Sequence, residues 1–406
     1  MRQPVKVKAP PTVRILAIME ASSVTGPAKN LIGFCRWLCT AEGAQTGLRV
    51  AIATFDRSAK GRGSEAFVSA ARAAGIDTHV IHERHRFDLG VIPQLREIAA
   101  RTRPDIIQTH NGKSHLLVKA QPNLRAGGLW FAFQHGHAYP DLKQRLYNQV
   151  DRLTLRSADR VVSVCRAFAP ALVAYGVKPE RIRILHNAAI PMPPIADLER
   201  AQLRDQLGIR NGESVLLTIG RLSREKGHAD LLRALERSRS SPRAWKLVVV
   251  GIGPERDPLG QLARSLGISE CVVFAGFNAD VARFFAIADV FILPSHSEGS
   301  SNVLLEAMMA KVPIVATRGG GNPEIVLDEE TGLLVPVGDS RRLAAATVRL
   351  LSEPKLAARL ADAAFARATC EFSVERYQQR LSGFYAEALG RANESAAYSA
   401  CSGDAN

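Results

Sequence analysis

Short apolar, β-branched runs alternate with amphipathic stretches along the chain, and this rhythm confines it to the parallel α/β folds. In the first half the runs fall at Val13–Met19, Leu48–Thr54, Thr78–His82, Asp105–Thr109, Leu129–Gln134 and Arg160–Val164, with a last one at Arg181–Leu185. Helical periodicity fills the gaps, as at Ala28–Cys39 and Tyr139–Arg156. The segment Pro191-Met192-Pro193-Pro194 then breaks the pattern, because proline fixes φ and removes a backbone donor. The rhythm restarts with strands expected at Ser214–Ile219, Lys246–Val250, Val272–Ala275, Val290–Leu293 and Pro313–Ala316. Helices are expected near Gly227–Arg237, Pro258–Leu266, Ala279–Ala286 and Val303–Ala310, and the chain is mainly helical after Ser340.

A chain of 406 residues is too long for one ordinary core and suits two domains. The boundaries predicted are 1–190 and 191–370, followed by a helix over 371–390 and a small, polar, disordered tail over 391–406. Two doubly wound sheets in series face a central cleft, and such sheets bind ligands at the C-terminal ends of their strands. Dehydrogenases, binding proteins, epimerases and transferases all share that architecture, so motifs must choose between them.

Hydrophobic content of 46% and charged content of 23% exclude a disordered or fibrous chain. A net charge of +14 attracts nucleic acid, anionic membrane or phosphorylated small molecules, and equally describes a solvated arginine-rich surface. Nucleic acid finds no other support: aromatic residues make up 6% of the chain, and no recognition motif is present. Six scattered cysteines without a C-x-x-C pair suit a reducing cytosol. The histidines lack zinc spacing, so no metal is expected. Met1–Thr12 leads into no apolar h-region, and Val13–Met19 is too short to span a bilayer. A cytoplasmic protein is the expectation.

The most informative segment, Pro294-Ser295-His296-Ser297-Glu298-Gly299-Ser300-Ser301-Asn302-Val303-Leu304-Leu305-Glu306-Ala307, leaves a buried strand and opens a helix. Ser300, Ser301 or Asn302 is placed to cap that helix, whose first-turn N–H groups suit a phosphate. Glu306 lies about one turn in, placed to accept ribose hydroxyls, while Glu298 occupies the loop. The same segment also reads as an ordinary capping loop. A second segment, Ile219-Gly220-Arg221-Leu222-Ser223-Arg224-Glu225-Lys226-Gly227, sets two cations after a strand. Arginine grips a diphosphate through paired hydrogen bonds and lysine adds a point charge. Val250-Gly251-Ile252-Gly253 is half a dinucleotide fingerprint, with Arg256 where the third glycine belongs, and reads better as a tight turn. Gly319-Gly320-Gly321-Asn322-Pro323-Glu324 is a loop suited to close backbone approach to a ligand.

In order, G-R-L-x-x-x-K-G, G-x-G-P, E-G-S-S-N-V-L-L-E-A, G-G-x-P-E-I-V and T-G-L-L-V-P resemble the family-4 retaining glycosyltransferases of the GT-B fold. The resemblance is weak before Arg181 and dense from Ser214 to Pro336. It implies a donor diphosphate on Arg221 and Lys226, with Gly220, Gly299, Ser300, Ser301, Asn302 and Val303 around it. It further implies ribose on Glu306, donor sugar on Glu298, and a base held by backbone near Gly276 and Phe277. The 371–390 helix would cross back to the N-terminal domain. His135 matches a histidine near the donor sugar, and the alternative is a histidine that merely closes a strand end. His110 is a weaker candidate. Two departures stand out. The loop after the first strand, Ser22-Ser23-Val24-Thr25-Gly26-Pro27, keeps one glycine, Gly26, for a turn near the phosphates. Asn187-Ala188-Ala189-Ile190 lacks the family's acid.

The resemblance implies transfer of a hexose or N-acetylhexosamine from a nucleoside diphosphate sugar, with a UDP-sugar preferred to a GDP-sugar. The anomeric configuration would be retained without a metal or any other cofactor. A glycan or lipid-linked acceptor would be used in cell-surface polysaccharide or lipopolysaccharide synthesis. Leu142, Leu146, Val150 and Leu153, flanked by Arg145, Arg152 and Arg156, form a basic amphipathic face. It suits peripheral contact with an anionic membrane, or simply a domain-covering helix. A nucleotide-sugar epimerase and a non-catalytic nucleotide-sugar-binding subunit are the rival functions.

Overall fold

A computed structural model of the chain describes residues 12–24, 26–57, 63–85, 88–125, 127–136, 149, 151–237 and 244–390. Two compact units emerge: Met1–Val164 with Ala169–Leu185 and Glu375–Asn406, and Cys165–Phe168 with His186–Val374. The second unit thus begins a few residues before the proline segment.

The first unit is built on a seven-stranded sheet of β1 (Val13–Met19), β2 (Leu48–Asp56), β3 (Asp77–His82), β4 (Ile106–Thr109), β5 (Leu129–Gln134), β6 (Arg160–Ser163) and β7 (Ile182–Ile184). Their order is β3-β2-β1-β4-β5-β6-β7, and the pairs are parallel. The helix Val374–Ala388 belongs with this unit. It buries Tyr377, Leu381 and Tyr385, and the Tyr385 ring packs edge-on against Phe34 and Phe131. Arg183 and Glu387 add an ion pair.

The second unit holds six parallel strands: β8 (Ser214–Ile219), β9 (Trp245–Val250), β10 (Val272–Gly276), β11 (Val290–Leu293), β12 (Ile314–Thr317) and β13 (Leu333–Val335). Their order is β10-β9-β8-β11-β12-β13. Every residue of β8, β11 and β12 is buried, which is why these strands read as continuous apolar runs rather than alternating ones. Side chains alternate across the sheet. Val215, Leu217 and Ile219 join one apolar layer with Phe291 and Leu304, while Leu216 joins the other with Leu231 and Leu235. The three-residue β13 was not among the expected strands. The expected helix Gly227–Arg237 opens instead as a 3-10 turn, Arg224–Lys226, before the α-helix His228–Arg237.

Most of the amphipathic 141–156 stretch, including Leu142, Arg145, Leu146 and Val150, lies outside the described residues, as does the tail 391–406. Of the remainder, Leu153 is exposed and Arg152 lies over the Tyr175 ring. No described helix is long and apolar enough to cross a membrane.

Candidate active site

In each sheet the chain order reverses at one place, leaving a crevice beyond the strand C-termini where no loop crosses. In the second unit that place lies between β8 and β11. The two loops flanking it are Gly220–Gly227 and Pro294–Ser301, the two segments that carry the charged motifs.

Adjacency of β8 and β11 brings Lys226 to Glu298, 72 residues away. Lys226 Nζ donates to Glu298 Oε1 at 2.7 Å, and the buried Ser295 hydroxyl donates to the same oxygen at 2.6 Å. Both bonds fall on Oε1, and Oε2 makes none to a described residue. Arg221 is exposed at the end of β8, and its guanidinium makes no hydrogen bond to a described residue. The two loops are also tied through their backbones. His296 N–H donates to the Glu225 carbonyl at 2.8 Å. Gly227, at φ 65°, passes so close to Pro294 that a Cβ would sit 2.0 Å from its carbonyl oxygen.

The helix Asn302–Met309 starts beside this pair. Its N-cap is Ser301, whose side chain makes no capping bond, contrary to the cap expected from sequence. Its first helical hydrogen bond runs from Leu305 N–H to the Ser301 carbonyl. The amides of Asn302, Val303 and Leu304 precede that bond, so no carbonyl one turn back receives them, which is the arrangement that receives anions. Ser300 does other work: its hydroxyl accepts from Asn187 N–H at 2.9 Å and its carbonyl from Asn187 Nδ2 at 2.7 Å. Asn187 therefore anchors the loop, a role that sequence spacing did not reveal. Glu306 is half-buried on the second turn.

The Gly319–Gly321 loop packs against the backbone of the Glu298 loop. Gly321 N–H donates to the Glu298 carbonyl at 2.9 Å, and Gly320, at φ 60°, faces Glu298 backbone so tightly that a Cβ would lie 2.1 Å from its oxygen. Glu324 turns away to His186 Nε2 and to the amides of Arg166 and Ala167, all at 2.8 Å. Gly276 ends β10 and the exposed Phe277 follows it, two strands from β8 along the same edge. That is a span of about 10 Å at the usual strand spacing.

In the first unit the reversal lies between β1 and β4. A cavity of about 220 Å³ occupies it, lined by Glu20, Ser22, Ser23, Pro27, His110 and Asn111 among others. Gly26 caps the helix Pro27–Leu38 with φ 40°. His135 follows β5, and its Nε2 lies 3.0 Å from His110 Nδ1. Burial pushes His135 down to about 3 and His110 well below the usual imidazole range.

Those shifts have a sign. Below about 6.5 the unfolded imidazoles take up protons that the folded ones refuse. Stability is therefore complete above that pH and falls as pH drops toward the folded value of about 3. The melting temperature is expected to decline between pH 6.5 and 5, and His135→Asn to flatten the decline. A calorimetric pH series with equal slopes for both proteins refutes this.

Two family descriptions match: "Glycosyl transferase 4-like domain" over residues 35–188 and "Glycosyl transferases group 1" over residues 199–367. The chain is similar to the lipopolysaccharide core biosynthesis glycosyltransferase LpsE of Rhizobium meliloti, with 30% identity over 283 residues that span 70% of this chain and 76% of that one. It is 27% identical to the N-acetyl-alpha-D-glucosaminyl L-malate synthase of Bacillus anthracis, over 77% of this chain and 83% of that one. Anabaena HepE, solved with UDP-glucose, shares the fold with a TM-score of 0.78 and 22% identity, over 92% of this chain and 99% of that one. These likenesses and the two parallel sheets define a GT-B glycosyltransferase. The chain belongs to the family-4 glycosyltransferases, the glycosyl transferases group 1.

Proposed function

We propose that this glycosyltransferase moves a hexose or N-acetylhexosamine from a nucleoside diphosphate sugar, a UDP-sugar before a GDP-sugar, with retention and without a metal. The observation that carries the reading is the Lys226–Glu298 pair at the switch point, beside a helix start without a side-chain cap. Lys226, Arg221 and the first-turn amides neutralise the charge that grows on the departing diphosphate. Glu298 Oε2 accepts from the donor sugar's hydroxyls and Glu306 from the ribose. The roughly 10 Å from β8 to β10 suits the reach from diphosphate to base at Gly276 and Phe277. In the first unit, His135 is read as a donor to an oxygen of the sugar substrate.

Glu298 is held by a cation and a hydroxyl on one oxygen, an arrangement that makes it a poor nucleophile. Front-side displacement follows: the acceptor oxygen bonds to the anomeric carbon on the face from which the phosphate oxygen departs, and that phosphate takes the acceptor's proton. The acceptor is read as a glycan or lipid-linked sugar of cell-surface polysaccharide or lipopolysaccharide, as the name of LpsE suggests. A net charge of +14 suits an acceptor presented at an anionic inner membrane face.

A donor panel tests the whole reading. Purified protein with UDP- and GDP-sugars and oligosaccharide or lipid-linked acceptors is expected to release UDP and give a product of unchanged anomeric configuration by NMR, equally well in excess EDTA. Release from no nucleotide sugar removes the reading; an inverted product or loss with EDTA removes its mechanism.

A further inference from the structure

We infer that Tyr385, Gln108 and His110 form a relay that fixes which nitrogen of His135 carries its proton, making His135 Nδ1–H a donor to an oxygen of the bound sugar substrate. The second half of that statement rests on the proposed sugar-transfer reading; the relay itself does not.

Tyr385 is fully buried. A buried hydroxyl proton without an acceptor costs about 1–3 kcal/mol, and the acceptor here is Gln108 Oε1. That bond sets the amide: with its oxygen toward the tyrosine, its nitrogen lies 2.7 Å from His110 Nε2. Turning the amide over would leave the tyrosine proton facing another donor. Gln108 is 1% exposed, so no water shell relieves the choice.

An amide nitrogen only donates, so His110 Nε2 must accept and the His110 proton sits on Nδ1. Nδ1 in turn points at His135 Nε2, 3.0 Å away. The two rings are parallel within 4° with centroids 5.3 Å apart. For an N···N distance of 3.0 Å, that places the hydrogen bond in both ring planes, along the lone pair. His110 is further held by the stacked Phe133 ring. Since His135 Nε2 accepts, its proton is on Nδ1. That atom is buried and has no hydrogen-bond partner among the described residues. A buried, unpartnered N–H of fixed direction is what a site built to bind an oxygen holds in reserve.

Burial keeps both imidazoles uncharged through the neutral range, so the relay passes direction and not charge. Tyr385, Gln108 and His110 are positioning residues. The first two join the helix Val374–Ala388 to β4, which gives the helix a role in the first unit beyond packing.

The test uses the full chain labelled with ¹⁵N-histidine and long-range ¹H–¹⁵N spectra, with His135 assigned by its loss in His135→Asn. Wild-type His110 and His135 are expected as Nδ1–H tautomers. Gln108→Glu replaces a donor by a carboxylate flanked by two donors, so both histidines should switch to Nε2–H and kcat should fall about tenfold to hundredfold with less change in KM. Tyr385→Phe keeps the ring packing and removes the hydroxyl that orients the amide; it should populate both tautomers with a smaller loss, and it stands in if the first variant does not fold. A wild-type His135 protonated on Nε2 overturns the relay, as does a tautomer unmoved in the folded variants. Switched tautomers with unchanged kcat and KM overturn the donor role alone. Relay signals intact in a protein that transfers no sugar sink the activity reading and not the relay.

Discussion

Lys226→Ala is expected to lower kcat at least about 10³-fold, roughly 4 kcal/mol of transition-state stabilisation, while the protein still folds. Lys226 carries a full charge into a half-buried site, 25% exposed, against a Glu298 that is 11% exposed. A leaving diphosphate gains charge as the glycosidic bond breaks, so a cation fixed beforehand contributes more to the transition state than to the ground state. Loss of this group should therefore appear in kcat more than in donor affinity. The same substitution removes one of two hydrogen bonds on Glu298 Oε1 but leaves Ser295 in place. The stability cost is accordingly about 1–2 kcal/mol. Lys226→Arg should recover part of the rate, since charge returns without the compact ammonium. Turnover near the wild-type value in folded Lys226→Ala, measured by nucleoside diphosphate release, would refute the role.

The pieces of this site were legible because each is a contiguous signal: a buried strand, a glycine or serine turn, a helix. Of the three N-cap candidates Ser300, Ser301 and Asn302, Ser301 holds the position, yet without a side-chain bond. The bond between Lys226 and Glu298 was not legible from spacing, since it depends on β8 and β11 becoming neighbours, a consequence of strand order. Asn187 opens the segment that lacks the family's acid, but nothing in the sequence marked the asparagine itself, and its partner lies 113 residues on. Ser295 sat inside a quoted motif with nothing to mark it. The relay was hidden more completely. Gln108 reads as a polar residue in a short strand and Tyr385 as part of a helix stripe, and only their burial against each other gives either a function. Strand β13, three residues bounded by Gly332 and Pro336, is too short for periodicity to register.

The glycine triplet shows the same limit and carries the second large expected effect. Its composition suggested freedom to approach a ligand; its contacts show crowding against Glu298. At Gly320 an added Cβ meets the Glu298 carbonyl oxygen at 2.1 Å and its nitrogen at 2.8 Å, with φ at 60°. Backbone cannot yield as a flexible side chain does, so the Glu298 segment must shift by roughly 1 Å, and the Gly321 bond to that carbonyl stretches with it. Gly320→Ala should cost about 3–4 kcal/mol, the left-handed strain of about 1 plus overpacking of 2–3. A carboxylate displaced by that distance should lose about 10²-fold in rate. Gly338→Ala separates the two terms, because Gly338 has a similar φ of 76° but nothing within 4 Å of the added carbon. It should cost about 1 kcal/mol and leave turnover unchanged. Denaturant melts and turnover of the pair decide the matter: equal losses in both variants would mean that backbone strain acts alone, and that the triplet does not hold Glu298 in place.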